Sequence, residues 1–170
     1  MKKWFICFYL MLSASVMANP DEKAAELGLT FNKKAPPSAT YIHAVRTGNL
    51  LFISGHISVT PEGNIIKGKL GKDLSTEQGN YAARMAGIEV LATIKEQLGS
   101  LNAVERVVKV TGMVNAASTF TEHSQVINGF SDLMVEIYGE KGQHARAAVG
   151  MNSLPADAAV EVEMIVELKP

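Results

Sequence analysis

The run Val160-Glu161-Val162-Glu163-Met164-Ile165-Val166-Glu167-Leu168 alternates from end to end. Apolar side chains at 160, 162, 164, 166 and 168 share one face of an extended chain, and the glutamates at 161, 163 and 167 share the other. That period of two marks a half-buried strand. Such a strand needs cover on its apolar face only, so the rest of the chain must supply that cover.

Two segments can do so. Ser75 followed by Gln78 forms a capping box, and behind it Tyr81, Met85, Ile88, Leu91, Ala92 and Leu98 recur at helical spacing until Gly99; together they predict a helix over about 76–98. Ile127, Phe130, Met134 and Ile137 mark a second helix ending at Gly139. Between the two, Val107 to Val114 is rich in β-branched residues and predicts a strand, with Gly112 as a bulge or a close backbone approach. Upstream, Tyr41–Val45 and Asn49–Ser54 flank Thr47-Gly48-Asn49, a hairpin signal. Pro61-Glu62-Gly63-Asn64 supplies a further turn, and Gly68, Gly71 and their charged neighbours predict a flexible loop ending at Ser75.

Strands, helix, strand, helix, strand in this order give an α+β fold, a sheet with both helices packed on one face. The other face then carries glutamates, arginine and small residues. It meets either water or another subunit, and self-association is expected.

The chain has 170 residues, 47% of them hydrophobic, with 16 Lys+Arg against 17 Asp+Glu. This balance fits one globular domain and excludes disorder. It lacks the basic surplus that phosphate neutralisation needs, so nucleic acid is not an expected partner. Met1-Lys2-Lys3, the apolar run Trp4–Val16 and the small-residue site Val16-Met17-Ala18 have the layout of a secretory signal peptide over 1–18, cut after Ala18. The run contains Ser13 and Ser15 and leads into Pro20-Asp21-Glu22-Lys23, too short and too soon charged for a membrane anchor. The expected destination is periplasmic or secreted, with no membrane attachment once the signal is removed. Cleavage would leave 152 residues of net charge −3, without Cys or Trp, which excludes thiol chemistry and disulfides. Residues 19–38 are expected to form a loosely attached arm, and 39–170 a single domain.

No nucleophile elbow, Walker loop or His-Glu-x-x-His pattern occurs. His43, His56, His123 and His144 lack zinc-site spacing, so no metal is expected. Arg146, within His144-Ala145-Arg146-Ala147-Ala148-Val149-Gly150, stands out. A guanidinium on a strand among small residues offers a rigid fork for a carboxylate, with room beside it for the ligand. The alternative is a cross-sheet ion pair with Glu161 or Glu163. Glu161 in turn is either a solvated strand glutamate or, if shielded, a general base or water-orienting group.

Several of these stretches, in this order, resemble the Rid family, the reactive intermediate deaminases also described as endoribonuclease L-PSP-like or YjgF-type proteins. They are Asn49-Leu50-Leu51-Phe52-Ile53-Ser54-Gly55-His56-Ile57, the Val-rich strand with Lys109, Val126-Ile127-Asn128, Ala145-Arg146-Ala147-Ala148-Val149, Leu154-Pro155 and Val160-Glu161-Val162-Glu163. The likeness spans nearly all of 39–168 and points to a second subgroup of the family. It implies a chorismate-mutase-like fold, a homotrimer with ligand sites in clefts between subunits, and hydrolysis of enamines and imines of the 2-aminoacrylate type to 2-keto acids and ammonia. By the same resemblance Arg146 holds the substrate carboxylate, Glu161 positions water and Tyr41 is the pocket tyrosine. Ser54, Gly55 and Asn128 line the pocket, and Ala148 contributes through its backbone. This chemistry needs a carboxylate anchor, a placed water and polar groups around a tetrahedral carbon, and no metal or organic cofactor. The competing reading is a module that binds a small carboxylate-bearing metabolite in the same cleft without turnover. A ribonuclease reading lacks the basic stripe RNA requires.

Overall fold

The computed structural model describes residues 19–31 and 39–170. The expected signal peptide lies outside the described residues, as does the stretch 32–38 of the expected arm.

The chain runs through α1 (Pro20–Glu26), β1 (Ala44–Thr47), β2 (Leu50–Ile57), α2 (Thr76–Leu98), β3 (Val104–Asn115), α3 (His123–Tyr138), β4 (Ala145–Met151) and β5 (Val160–Leu168). The strands form one mixed sheet in the order β1-β2-β5-β3-β4. β4 pairs with β3 in parallel, and the other pairings are antiparallel. A parallel pair needs a long crossover, and α3 provides it. The alternating segment is β5, held between β2 and β3. Its residues Val160, Val162, Met164, Val166 and Leu168 are all buried.

α2 begins at the predicted capping box: the Ser75 hydroxyl accepts from the Gln78 N–H while the Gln78 side chain accepts from the Ser75 N–H. It ends at Gly99 in the left-handed conformation, φ 77°, which glycine adopts without Cβ strain. α2 and α3 cover the apolar sheet face, and Val90, Leu91, Ile94, Ile127, Phe130, Leu133 and Met134 are fully buried between them and the sheet. Gly112 is the close approach anticipated for it, since a Cβ there would lie 2.5 Å from Ile127 Cδ1. The bulges fall elsewhere. β2 carries Ser54 and Gly55 between its pairings at Ile53 and His56, and β3 shifts register between Val104 and Arg106 and between Val107 and Lys109.

Two expectations are corrected. The described part of the arm is docked rather than loose: Asn19 caps α1, Pro20 opens it, Ala24 is 2% exposed, and Leu29 and Phe31 pack against the core. Asp21 anchors it, accepting from Lys95 Nζ at 2.7 Å, from the Ser100 hydroxyl and from the Leu101 N–H at 3.3 Å. The loop from Gly68 to Ser75 is likewise pinned. Leu70 is fully buried, donates its N–H to the Asn115 carbonyl at 2.8 Å and accepts from the Ala117 N–H at 2.9 Å. Its glycines serve positive φ angles, 121° at Gly68 and 78° at Gly71, rather than mobility.

Candidate functional site

In-register partners on neighbouring strands point to the same face of a sheet. Arg146 is paired with the buried Val110, and Ala148 with Gly112, which abuts Ile127 of α3. Both therefore lie on the helix-covered side of edge strand β4. Arg146 Nη1 donates to Asn128 Oδ1 at 2.9 Å and to Ser131 Oγ at 3.0 Å, and Nη2 donates to the Ser124 carbonyl at 3.5 Å. Asn128 and Ser131 are three residues apart on α3 and so share one helix face. A guanidinium has five N–H donors. The protein uses both on Nη1 and one on Nη2, leaving the Nε proton and one Nη2 proton on adjacent nitrogens. Neither Glu161 nor Glu163 pairs with Arg146, so the cross-sheet ion pair considered from the sequence does not form.

Behind this clamp sits His144. Its Nε2 is 3.1 Å from Ser131 Oγ and its Nδ1 is 2.6 Å from the Gly142 carbonyl. Burial holds its pKa below the ordinary imidazole value and the Arg146 charge pushes the same way, against the opposing hydrogen bond to Gly142.

Glu161 belongs to a different group. It is paired with Ile57 and Met113 on the uncovered face of the sheet, beside the Ser54–Gly55 bulge. The Glu161 carboxylate occupies the space above Gly55, where any side chain would strike it. Burial raises its pKa and the neighbouring charge of Glu163 adds to the rise, the direction that makes a carboxylate a better proton acceptor near neutral pH. Ser54 reaches back to the segment preceding β1, its hydroxyl donating to the Ile42 carbonyl at 2.7 Å and its N–H to the His43 carbonyl at 2.9 Å. Tyr41 stands on that segment, exposed, with its ring edge-on to His43 at 6.2 Å. From beneath, His56 fixes the bulge: Nδ1 lies 2.6 Å from the Ser54 carbonyl and Nε2 lies 2.6 Å from Thr93 Oγ1 of α2. An open hollow of about 250 Å³ lined by Phe52, Ser54, Lys109, Thr111 and Glu163 continues along this face.

The expected site residues thus fall into two groups. Arg146, Asn128 and Ala148 come together on the helix side of β4, and Tyr41, Ser54, Gly55 and Glu161 gather on and beside β2 and β5. Within one chain β3 and the thickness of the sheet separate the two. Ser131 and His144 of the first group, and His56 of the second, are additional members. His144 stands two residues before Arg146 and Ser131 one turn after Asn128, a same-face spacing that the sequence already contained.

The sequence profile described as "YjgF/chorismate mutase-like, putative endoribonuclease" matches residues 23–168. The chain belongs to this family. The chain is 41% identical over 143 residues to Protein TCP17 of Trypanosoma cruzi, covering 84% of this chain and 89% of that one. A RutC family protein of Pyrococcus abyssi is 33% identical over 137 residues, covering 79% and 92%. Among solved structures, the Agrobacterium tumefaciens protein Atu1372, of unknown function, superposes with a TM-score of 0.81 at 37% identity, covering 88% of this chain and 94% of that one. A candidate endoribonuclease of Shewanella oneidensis superposes with a TM-score of 0.84 at 27% identity, covering 88% and 99%. The YjgF profile begins at residue 23, inside α1, so the second half of the docked helix falls within the matched span.

Proposed function

We propose that this YjgF-family chain hydrolyses small 2-imino acids and their enamine tautomers to 2-keto acids and ammonia, in an oligomer that joins the Arg146 group of one copy to the Glu161 group of another. The observation that carries the reading is the Arg146 guanidinium. Three of its five protons are fixed by Asn128, Ser131 and Ser124, and a proton on each of Nε and Nη2 is left to grip the two oxygens of a carboxylate.

With the carboxylate held, the imine carbon next to it has a fixed position. Water adds to that carbon, its proton passes to the Glu161 carboxylate, and the C=N π electrons move to nitrogen. The tetrahedral adduct then collapses: Glu161 returns that proton to nitrogen, takes the proton of the new hydroxyl as its oxygen forms the C=O bond, and delivers this second proton to the nitrogen as the C–N bond breaks, so that ammonia leaves and the ketone remains. The raised pKa of Glu161 supports this two-way proton transfer. Each step uses only water and groups of the chain.

A homotrimer is the assembly that the family resemblance implies, and it would bring the two groups into one cleft. The mature, exported chain from Asn19 onward is the form to which we assign the activity. The test generates 2-imino acids in situ with an amino-acid oxidase and follows their decay with and without the protein. Faster decay that Arg146→Ala abolishes supports the reading. Binding of a 2-keto acid without any acceleration by the intact protein overturns it in favour of a carboxylate-binding module.

A further inference from the structure

We propose that His144 is a positioning residue for the Arg146 clamp: acting through Ser131, it settles which guanidinium protons stay with the protein and which meet the ligand. The inference rests on the carboxylate-clamp reading above and adds to it a residue that touches no substrate.

The chain of hydrogen bonds has one consistent direction. The Gly142 carbonyl can only accept, so His144 Nδ1, at 2.6 Å from it, carries the ring proton. The neutral ring then presents Nε2 as a bare acceptor, 3.1 Å from Ser131 Oγ. Arg146 Nη1 can only donate, and at 3.0 Å it uses a lone pair of Ser131 Oγ. The single hydroxyl proton of Ser131 therefore points at His144, and its lone pair points at Arg146. Gly142, a buried residue at the end of the short turn before β4, closes the chain on backbone. The neutral ring that this order requires agrees with the lowered pKa of His144, caused first by its burial.

Removing the Nε2 acceptor leaves the Ser131 hydroxyl proton without its partner, and the hydroxyl is free to rotate. The Nη1 side of the guanidinium then loses a defined acceptor, and the Nε and Nη2 protons lose their fixed aim. Ring packing is a separate contribution, because His144 also stands edge-on to Phe130 with centroids 6.5 Å apart. His144→Phe keeps a ring there and removes the acceptor, while His144→Gln keeps an acceptor and removes the ring.

The experiment titrates pyruvate, as a small 2-keto acid, into the mature protein by calorimetry, with thermal melts confirming that each variant folds. His144→Phe is expected to weaken binding about tenfold, the loss of roughly one hydrogen bond to a charged network. His144→Gln is expected to stay close to wild type. Ser131→Ala combined with His144→Phe should be no weaker than Ser131→Ala alone, since both act through one path. Nitrogen-15 NMR should report the Nδ1–H tautomer for His144. Wild-type affinity in folded His144→Phe, with binding lost in Arg146→Ala, overturns the inference and leaves the clamp standing. Unchanged affinity in Arg146→Ala overturns both, and additive losses at Ser131 and His144 overturn the proposed path.

Discussion

The Arg146 guanidinium and the Glu161 carboxylate lie on opposite faces of one sheet. Arg146 is on edge strand β4 beneath α3, and Glu161 is two strands away on the uncovered side. Strand pleat enforces this, because the buried Val110 fixes the side taken by Arg146 while Glu161 is in register with Met113, an odd number of residues along β3. No rotamer of either side chain carries it through the sheet. A reaction that needs both groups needs two copies of the chain.

Ligand binding should follow the geometry of the guanidinium rather than its charge. Arg146→Lys keeps the charge but loses the fork, and we expect it to weaken 2-keto acid binding about tenfold or more, the scale of a charge-assisted hydrogen bond. Calorimetry with pyruvate checks this, and a lysine variant equal to wild type contradicts the two-point grip.

Glu161 is held at a cost to stability. Burial, with Glu163 beside it, raises its pKa above the ordinary 4.5, so between that value and the raised one the folded chain binds a proton that the unfolded chain has released. Stability therefore falls as pH rises through that window, and the cost remains at neutral pH. Glu161→Gln should raise the melting temperature at pH 7, gain little at pH 4, and abolish turnover. Parallel melts at the two pH values measure it.

Asp21 contributes with the opposite sign. Burial alone would raise its pKa, but hydrogen bonds from Lys95, Ser100 and the Leu101 N–H, with the Lys95 charge, outweigh burial and hold it below 3.8. Its stabilisation is present above that value and is lost as pH falls through the lowered one. Asp21→Asn should cost on the order of 1–2 kcal/mol at neutral pH and leave more amide exchange in α1, read by hydrogen exchange.

The crossing of α2 and α3 has no room at Gly129, where a Cβ would collide with the Asn80 carbonyl, a backbone atom. Gly129→Ala should destabilise the fold by about 2 kcal/mol or more, because neither helix can yield without disturbing the core beneath it. Urea denaturation gives the value.

How much of this was legible depended on whether a signal was local. The alternation of β5 and the Ser75–Gln78 box are complete within a few residues, and the structure reproduces α2 over the predicted 76–98. The docking of α1 was hidden, because its Lys, Glu and Ala composition suits solvent and its anchor partners lie more than 70 residues away in the chain. Leu70 escaped for the same reason, its partners being Asn115 and Ala117. At the site, Arg146 stood out by residue type, but the face it takes follows from its pairing with Val110, and no local pattern gives that register. The spacings of His144 to Arg146 and of Ser131 to Asn128 were present in the sequence, but that the two pairs meet is seen only with α3 laid against β4.

The most direct measurement mixes two inactive variants. Arg146→Ala and Glu161→Gln chains are unfolded together in equal amounts, refolded, and assayed for decay of oxidase-generated imines beside each variant alone. If the site joins Arg146 of one copy to Glu161 of the next, each variant alone is dead and the mixture recovers about one quarter of wild-type activity, the share of randomly formed interfaces that keep both groups. If the mixture stays as inactive as its parents while a refolded wild-type control recovers, the site does not form between copies and the account is wrong.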